Sequence, residues 1–196
     1  MELYKEMREL SDTFEAQLKK QMDSRVLAMD PDDNSHYLIY RVLGIAEAEG
    51  KAIDVYQNKG RFLYKYAGSF LETAARMCFT HKYPECGVVK VANTLGARPK
   101  TFEIDAPTDG DHITKEHPRL KVIADMGFKP IRVMFYYPNR DQAIRIQKTL
   151  ETLYKGVNGD YHFGDAAWTF IKDYTGVELK EILTRIAKEK TANGNS

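Results

Sequence analysis

Apolar residues recur along the first part of the chain at helical spacing. Leu3, Met7, Leu10, Phe14, Leu18, Met22 and Val26 stand three or four apart with charges between them, which predicts one long helix over residues 2–28. A single apolar stripe of this kind has to be covered, so packing or dimerisation is the role expected of it. Asp30-Pro31-Asp32-Asp33-Asn34-Ser35 is turn chemistry and a cap for a second helix. That helix runs from about His36 to Glu49, faces Leu38, Ile39, Val42, Leu43, Ile45 and Ala46 inward, and stops at Gly50. Lys51 to Gly60 begins helically and ends in a turn at Gln57-Asn58-Lys59-Gly60. Arg61 to Phe79 is again helical, with small residues Ala67, Gly68, Ala74 and Ala75 that permit close packing.

The centre changes character. Gly87 to Asn93 is β-rich, Thr94 to Pro99 is a turn, and Lys100 to Asp105 alternates as a strand does, so the three form a hairpin. In its second strand Phe102 and Ile104 share one face and Glu103 and Asp105 the other. Two carboxylates on one strand face favour a nearby cation, and hard cations such as Mg²⁺ accept such oxygen ligands. After a loop from Ala106 to Asp111, a helix capped by Asp111 or Thr114 carries Ile113, Leu120, Ile123, Ala124 and Met126 and closes at Gly127. Lys129 to Tyr137 is a near-continuous apolar run, the mark of a strand buried on both faces, as in the centre of a parallel sheet. A turn at Pro138 to Asp141 leads into a helix ending near Tyr154 and Gly156. Val157 to Gly164 reads as loop, followed by helices over Asp165–Tyr174 and Glu178–Lys190 and a frayed tail from Thr191. A strand, a helix and a parallel strand form an α/β unit, with acids at a strand end facing a loop.

Composition narrows the classes. A chain of 196 residues with a 43% hydrophobic share fits one globular domain over residues 1–196. A formal charge of +1 means that a nucleic-acid partner must be met by a local basic surface. Two cysteines, Cys78 and Cys86, without zinc-ligand spacing, argue for a reducing compartment. No apolar signal core or membrane-length run is present, so the expected location is cytoplasmic, with no membrane partner.

Three stretches resemble type II restriction endonucleases of the ApaLI type. They are Gln57-Asn58-Lys59-Gly60-Arg61-Phe62-Leu63-Tyr64-Lys65-Tyr66-Ala67-Gly68-Ser69-Phe70-Leu71-Glu72, Phe102-Glu103-Ile104-Asp105 with Thr108 to His117, and Arg132 to Arg140. The resemblance spans about residues 36 to 180. It implies a prokaryotic enzyme of the PD-(D/E)XK superfamily, with an α/β core whose central mixed sheet is flanked by helices. Extra helices then occupy residues 1–56 and 138–190, around a nuclease core at 57–137. It also implies Mg²⁺ and double-stranded DNA. Asp105 matches the first acid of the metal motif, and Glu72, on the leading helix, is carried over as an accessory acid, with both as metal ligands; Glu103, on the strand face of Asp105, stands beside them as a candidate catalytic acid.

The chain departs from that pattern after Asp105. Only Ala106, Pro107 and Thr108 precede Asp109, where the family's Asp/Glu-x-Lys strand belongs; a hairpin return needs a turn and strands of about 5 residues. The pattern thus reads as an internal deletion that impairs catalysis. Asp109, Asp111 and Glu116 with Lys115 or Lys121 are substitutes by residue type but not by spacing. Asn58, Lys59, Arg61, Lys65, Lys115, Asn139 and Arg140 are the candidate DNA contacts, since Asn and Arg suit base edges and Lys suits phosphate. Cutting both strands of a palindrome favours a homodimer, with the N-terminal helix as its expected interface. Two alternatives stand beside the nuclease: a DNA-binding relative that does not cleave, and a hydrolase built on His112 and His117, whose spacing of five is poor for one helix face.

Overall fold

The computed structural model describes residues 2–29, 37–85, 103–104, 111–136 and 140–194. Its elements are α1 (Glu2–Met29), α2 (Tyr37–Val42), α3 (Glu47–Lys82), β1 (Glu103–Ile104), α4 (Asp111–Asp125), β2 (Ile131–Met134), α5 (Asp141–Gly156), β3 (Asp160–Phe163), α6 (Asp165–Thr175) and α7 (Leu179–Gly194). The chain divides into two compact units, Met1–Leu71 and Glu72–Ser196.

In the first unit the expected stripe of α1 is present and largely covered. Leu3 and Met7 are buried, and Leu10, Phe14, Leu18, Met22 and Val26 are each half-buried. Phe14 meets Tyr66 and Phe70 of α3 edge-on, with ring centroids 6.2 and 5.7 Å away. Each such aromatic pair adds about 1 kcal/mol beyond its buried area.

Helix α3 corrects the sequence reading at two places. It runs without a break through Gly50, expected as a stop, and through Gln57 to Gly60, expected as a turn. The stop lies earlier, at Gly44. There φ is +83°, and the pair of hydrogen bonds Ile45 N–H to Tyr40 O and Gly44 N–H to Arg41 O closes α2 in a left-handed cap. Gly50 serves a different purpose, since a Cβ there would stand 2.6 Å from Tyr40 Cδ2. Its missing side chain lets α2 lie close against α3, where the Tyr40 hydroxyl donates to Asp54 at 3.1 Å. Asn58 keeps helical geometry because its amide has partners. It donates to Asp54 O at 2.9 Å and accepts from Arg25 Nε of α1 at 3.3 Å. The three interior glycines of α3, Gly50, Gly60 and Gly68, disfavour a helix by only about 1 kcal/mol each.

The second unit holds the sheet, and here the expected central mixed α/β sheet is overturned. The described residues are predominantly helical, and their sheet has three short strands, all parallel, in the order β1-β2-β3. Apart from Glu103 and Ile104, the hairpin expected over residues 87–105 lies outside the described residues. β3 occupies residues read as loop. Its Asn-Gly approach and half-buried residues carry no period-two signal, and pairing with β2 makes it a strand. At the C-terminus α7 continues to Gly194, past the Lys190 expected as its end.

β2 is central and buried on both faces, as its apolar run predicts. Arg132, paired in register with Tyr161, lies on the face covered by α4 and α5. Val133, opposite His162, and Phe135 lie on the other face, where Phe135 meets Trp168 of α6 at 4.4 Å. His162 stacks on Phe170 of α6 at 4.2 Å, and Phe170 joins Phe79, Tyr83 and Tyr174 in an aromatic group with the end of α3. The second unit is therefore layered as α4 and α5, then sheet, then α6. Burial is deepest at Val133, Met134, Leu120, Leu150 and Ile171.

Candidate functional site

Amphipathic helix α4 carries an acid inside its apolar face. Glu116 stands one turn before Leu120, and Leu120 is 1% exposed, so the carboxylate is carried into the core with it at 3%. Strand β2 presents Arg132 to the same layer at 2% exposure. The two meet: Arg132 Nη1 donates to Glu116 Oε1 at 2.9 Å. Arg119, one turn along α4, donates to the second oxygen at 3.3 Å. The Tyr154 hydroxyl of α5 donates to Oε1 through a short contact. Beside them the Tyr161 hydroxyl of β3 donates to the Oε1 of buried Gln147.

The electrostatics of this cluster suit a structural pin. Burial first, and then the Glu116 charge, drive the Tyr154 phenol far above its ordinary range, so it stays protonated and donates. Burial likewise pushes Tyr161 up to about 12. Glu116 thus takes two guanidinium groups and a phenol, which occupy the lone pairs a metal would use. Although its residue type suggested a substitute metal acid, its surroundings tie α4, β2 and α5 together at one buried point.

The residues singled out in the sequence are placed as follows. Glu72 lies on α3 and pairs with Arg76 Nη2 at 2.7 Å, its side chain 47% exposed. Glu103 opens β1, in register with Arg132. Asp105, Asp109 and Asn139 lie outside the described residues. Lys115 falls in α4, His112 also, and His117 is exposed there. Arg140 is exposed immediately before α5.

Asn58, Lys59, Arg61 and Lys65 do not form one cluster on α3. Asn58 is turned toward α1 and bound there, and Lys59 and Arg61, two residues apart, project to nearly opposite sides. Arg61 and Lys65, one turn apart and both exposed, do share a face.

Among the described residues no group of three His, Cys, Asp or Glu side chains is placed to hold a metal ion, and no helix is long and apolar enough to cross a membrane. Glu72 fits a cation only by exchange, because it must first release Arg76. An exposed pair of that kind is worth only about 0–1 kcal/mol, so a divalent ion can displace it, whereas Glu116 is held too deeply for such an exchange.

Compared with known proteins, residues 1–188 match the family model described as ApaLI-like restriction endonuclease. No curated protein and no solved structure matches.

Proposed function

This chain belongs to the ApaLI-like restriction endonuclease family, and from that premise we propose that it is a type II site-specific deoxyribonuclease. It would hydrolyse phosphodiester bonds of double-stranded DNA with Mg²⁺, as a homodimer on a palindromic site. The family match across nearly the whole chain carries the reading.

In it, Asp105, Glu103 and Glu72 supply carboxylate oxygens for the ion, and Glu72 exchanges Arg76 for it. When bound, such an ion lowers the pKa of its water and offsets charge developing on the phosphate. Arg61 and Lys65 of the first unit, and by residue type Lys115 and Arg140 of the second, are the cations that neutralise backbone phosphates. The Glu116–Arg132 pin fixes β2, and with it the neighbouring β1 whose first residue is Glu103.

A second reading, a relative that binds DNA without cutting it, is favoured by one observation. Only residues 105–110 stand in sequence between β1 and α4, and they contain no Asp/Glu-x-Lys. That spacing supports the expected deletion from the PD-(D/E)XK pattern.

Cleavage of supercoiled DNA at low salt, in Mg²⁺ and in EDTA, separates the two. The nuclease gives discrete Mg²⁺-dependent fragments that disappear with Asp105→Ala. A salt-dependent gel shift with no fragments selects the second reading, and neither binding nor cutting overturns both.

A further inference from the structure

Helix α3 carries two apolar faces within the first unit, and α1 uses only one of them. Val55, Asn58, Phe62, Tyr66 and Phe70 form the covered face, all half-buried. Ile53, Tyr56, Gly60, Leu63 and Ala67 repeat at alternating steps of three and four, the spacing of a helix–helix seam. This second stripe is open. Ile53 is 48% exposed, Tyr56 73%, Leu63 50% and the adjoining Tyr64 77%. A Cβ built on Gly60 meets nothing within 4 Å. Helix α2, packed on α3 through Tyr40, adds Leu38, Ile39, Val42 and Leu43, exposed by 56–73%.

A covered aromatic side chain buries ~150–250 Å² and an aliphatic one ~60–120 Å², so at these exposures the eight leave roughly 600–700 Å² of surface open. A monomer's largest apolar patch is about 300–600 Å². One side of a stable interface buries ~800 Å², and this patch supplies most of what a dimer needs. The α1 stripe, expected as the interface, is already occupied inside the unit by its packing on α3.

We propose that the Ile53–Ala67 stripe of α3 is a homodimer seam, on which α3 of a second copy docks antiparallel about a two-fold axis at Gly60. The stripe is self-complementary in that arrangement. Ile53 faces the small Ala67 of the second copy, Tyr56 faces its Tyr64, and the two Gly60 backbones pass closest. The α2 residues close the rim. This deepens the homodimeric reading above by naming its surface, and it is tested without DNA, so loss of cleavage and loss of the seam are read separately.

The experiment is sedimentation velocity of the full chain over micromolar concentrations. The expected mass is twice the 22.5 kDa chain. Tyr56→Glu with Leu63→Glu should raise the dissociation constant by more than about 30-fold, the measure of one hot-spot residue, while far-ultraviolet circular dichroism keeps its helical signal. In a Cys86→Ser background, Gly60→Cys should form a disulfide-linked dimer on mild oxidation. A wild-type monomer at every concentration overturns the proposal, whatever other partner the face then takes. A dimer that survives the double substitution, or one that Gly60→Cys does not cross-link, also overturns it.

Discussion

Replacing Glu116 with glutamine tests whether the buried cluster is a pin or a reactive site. The substitution keeps volume but removes the charge that holds Arg132, whose side chain is 2% exposed. It also turns an amide N–H₂ toward one of the donors that now reach a carboxylate oxygen. Breaking a buried pair from one side costs about 3–5 kcal/mol, against a total stability of roughly 5–15 kcal/mol for a domain. With an urea m-value of ~2 kcal/mol/M, the midpoint should fall by roughly 2 M. Replacing both charges with apolar residues, Glu116→Leu with Arg132→Met, should lose less than Glu116→Gln alone, because the fully buried Arg132 charge goes with its partner and Arg119, 21% exposed, reaches solvent. Equilibrium urea unfolding followed by circular dichroism reads all three proteins. A Glu116→Gln protein within about 1 kcal/mol of wild type would refute the pin. Stability retained with cleavage abolished would instead make Glu116 part of the chemistry.

Three further outcomes follow from the geometry. A Cβ at Gly159 would stand 2.6 Å from Pro130 O, whereas one at Gly156 meets nothing within 4 Å; thermal unfolding should show Gly159→Ala destabilised by about 1–3 kcal/mol and Gly156→Ala unchanged or stabilised by up to about 1 kcal/mol. Burial lowers the His162 pKa from 6.5, against a smaller opposing effect of Asp160. Its folded state therefore resists protonation, so stability is intact above pH 6.5 and is lost as pH falls through the lowered folded pKa. His162→Phe, which keeps the stack on Phe170, should flatten that loss in urea unfolding measured stepwise below neutrality; an unchanged slope would exclude His162 as its source. For DNA binding, Arg61→Ala and Lys65→Ala should each weaken binding and reduce the log–log salt slope by about 1, while a slope left at the wild-type value would place DNA elsewhere.

The elements were legible where burial and period coincide. The α1 stripe, the Gly127 stop and the doubly buried β2 are written in residue order, because each depends on neighbours within a turn or two. Gly50 and Gly60 misled because glycine marks a stop only where the backbone turns left-handed. At Gly50 it answers a close approach by Tyr40 that no local window contains. β3 was hidden for the related reason that its strand character comes from β2. The buried cluster did leave a trace: Arg132 interrupts an apolar strand, and Glu116 interrupts the apolar face of α4. Opposite charges inside two apolar patterns demand each other. Tyr154 and Gln147 gave no such trace, since either is at home on a helix flank. Glu103 and Asp105 were singled out by strand alternation together with resemblance, and Glu72 by resemblance, for Glu72 beside Arg76 is on spacing alone an ordinary surface pair.

In the sheet, strand order in space is strand order in the chain. Among the described strands none must wait for a distant one to arrive, so β2, α5 and β3 can close as a local unit while synthesis proceeds. β1 joins through two residues on one edge, against four in register between β2 and β3. Native-state hydrogen exchange should therefore release the β1 rung first and the β2–β3 ladder last. The sheet then peels from the side that holds Glu103, one of the acids proposed for the chemistry, and the most labile rung among the described strands is the one that carries it.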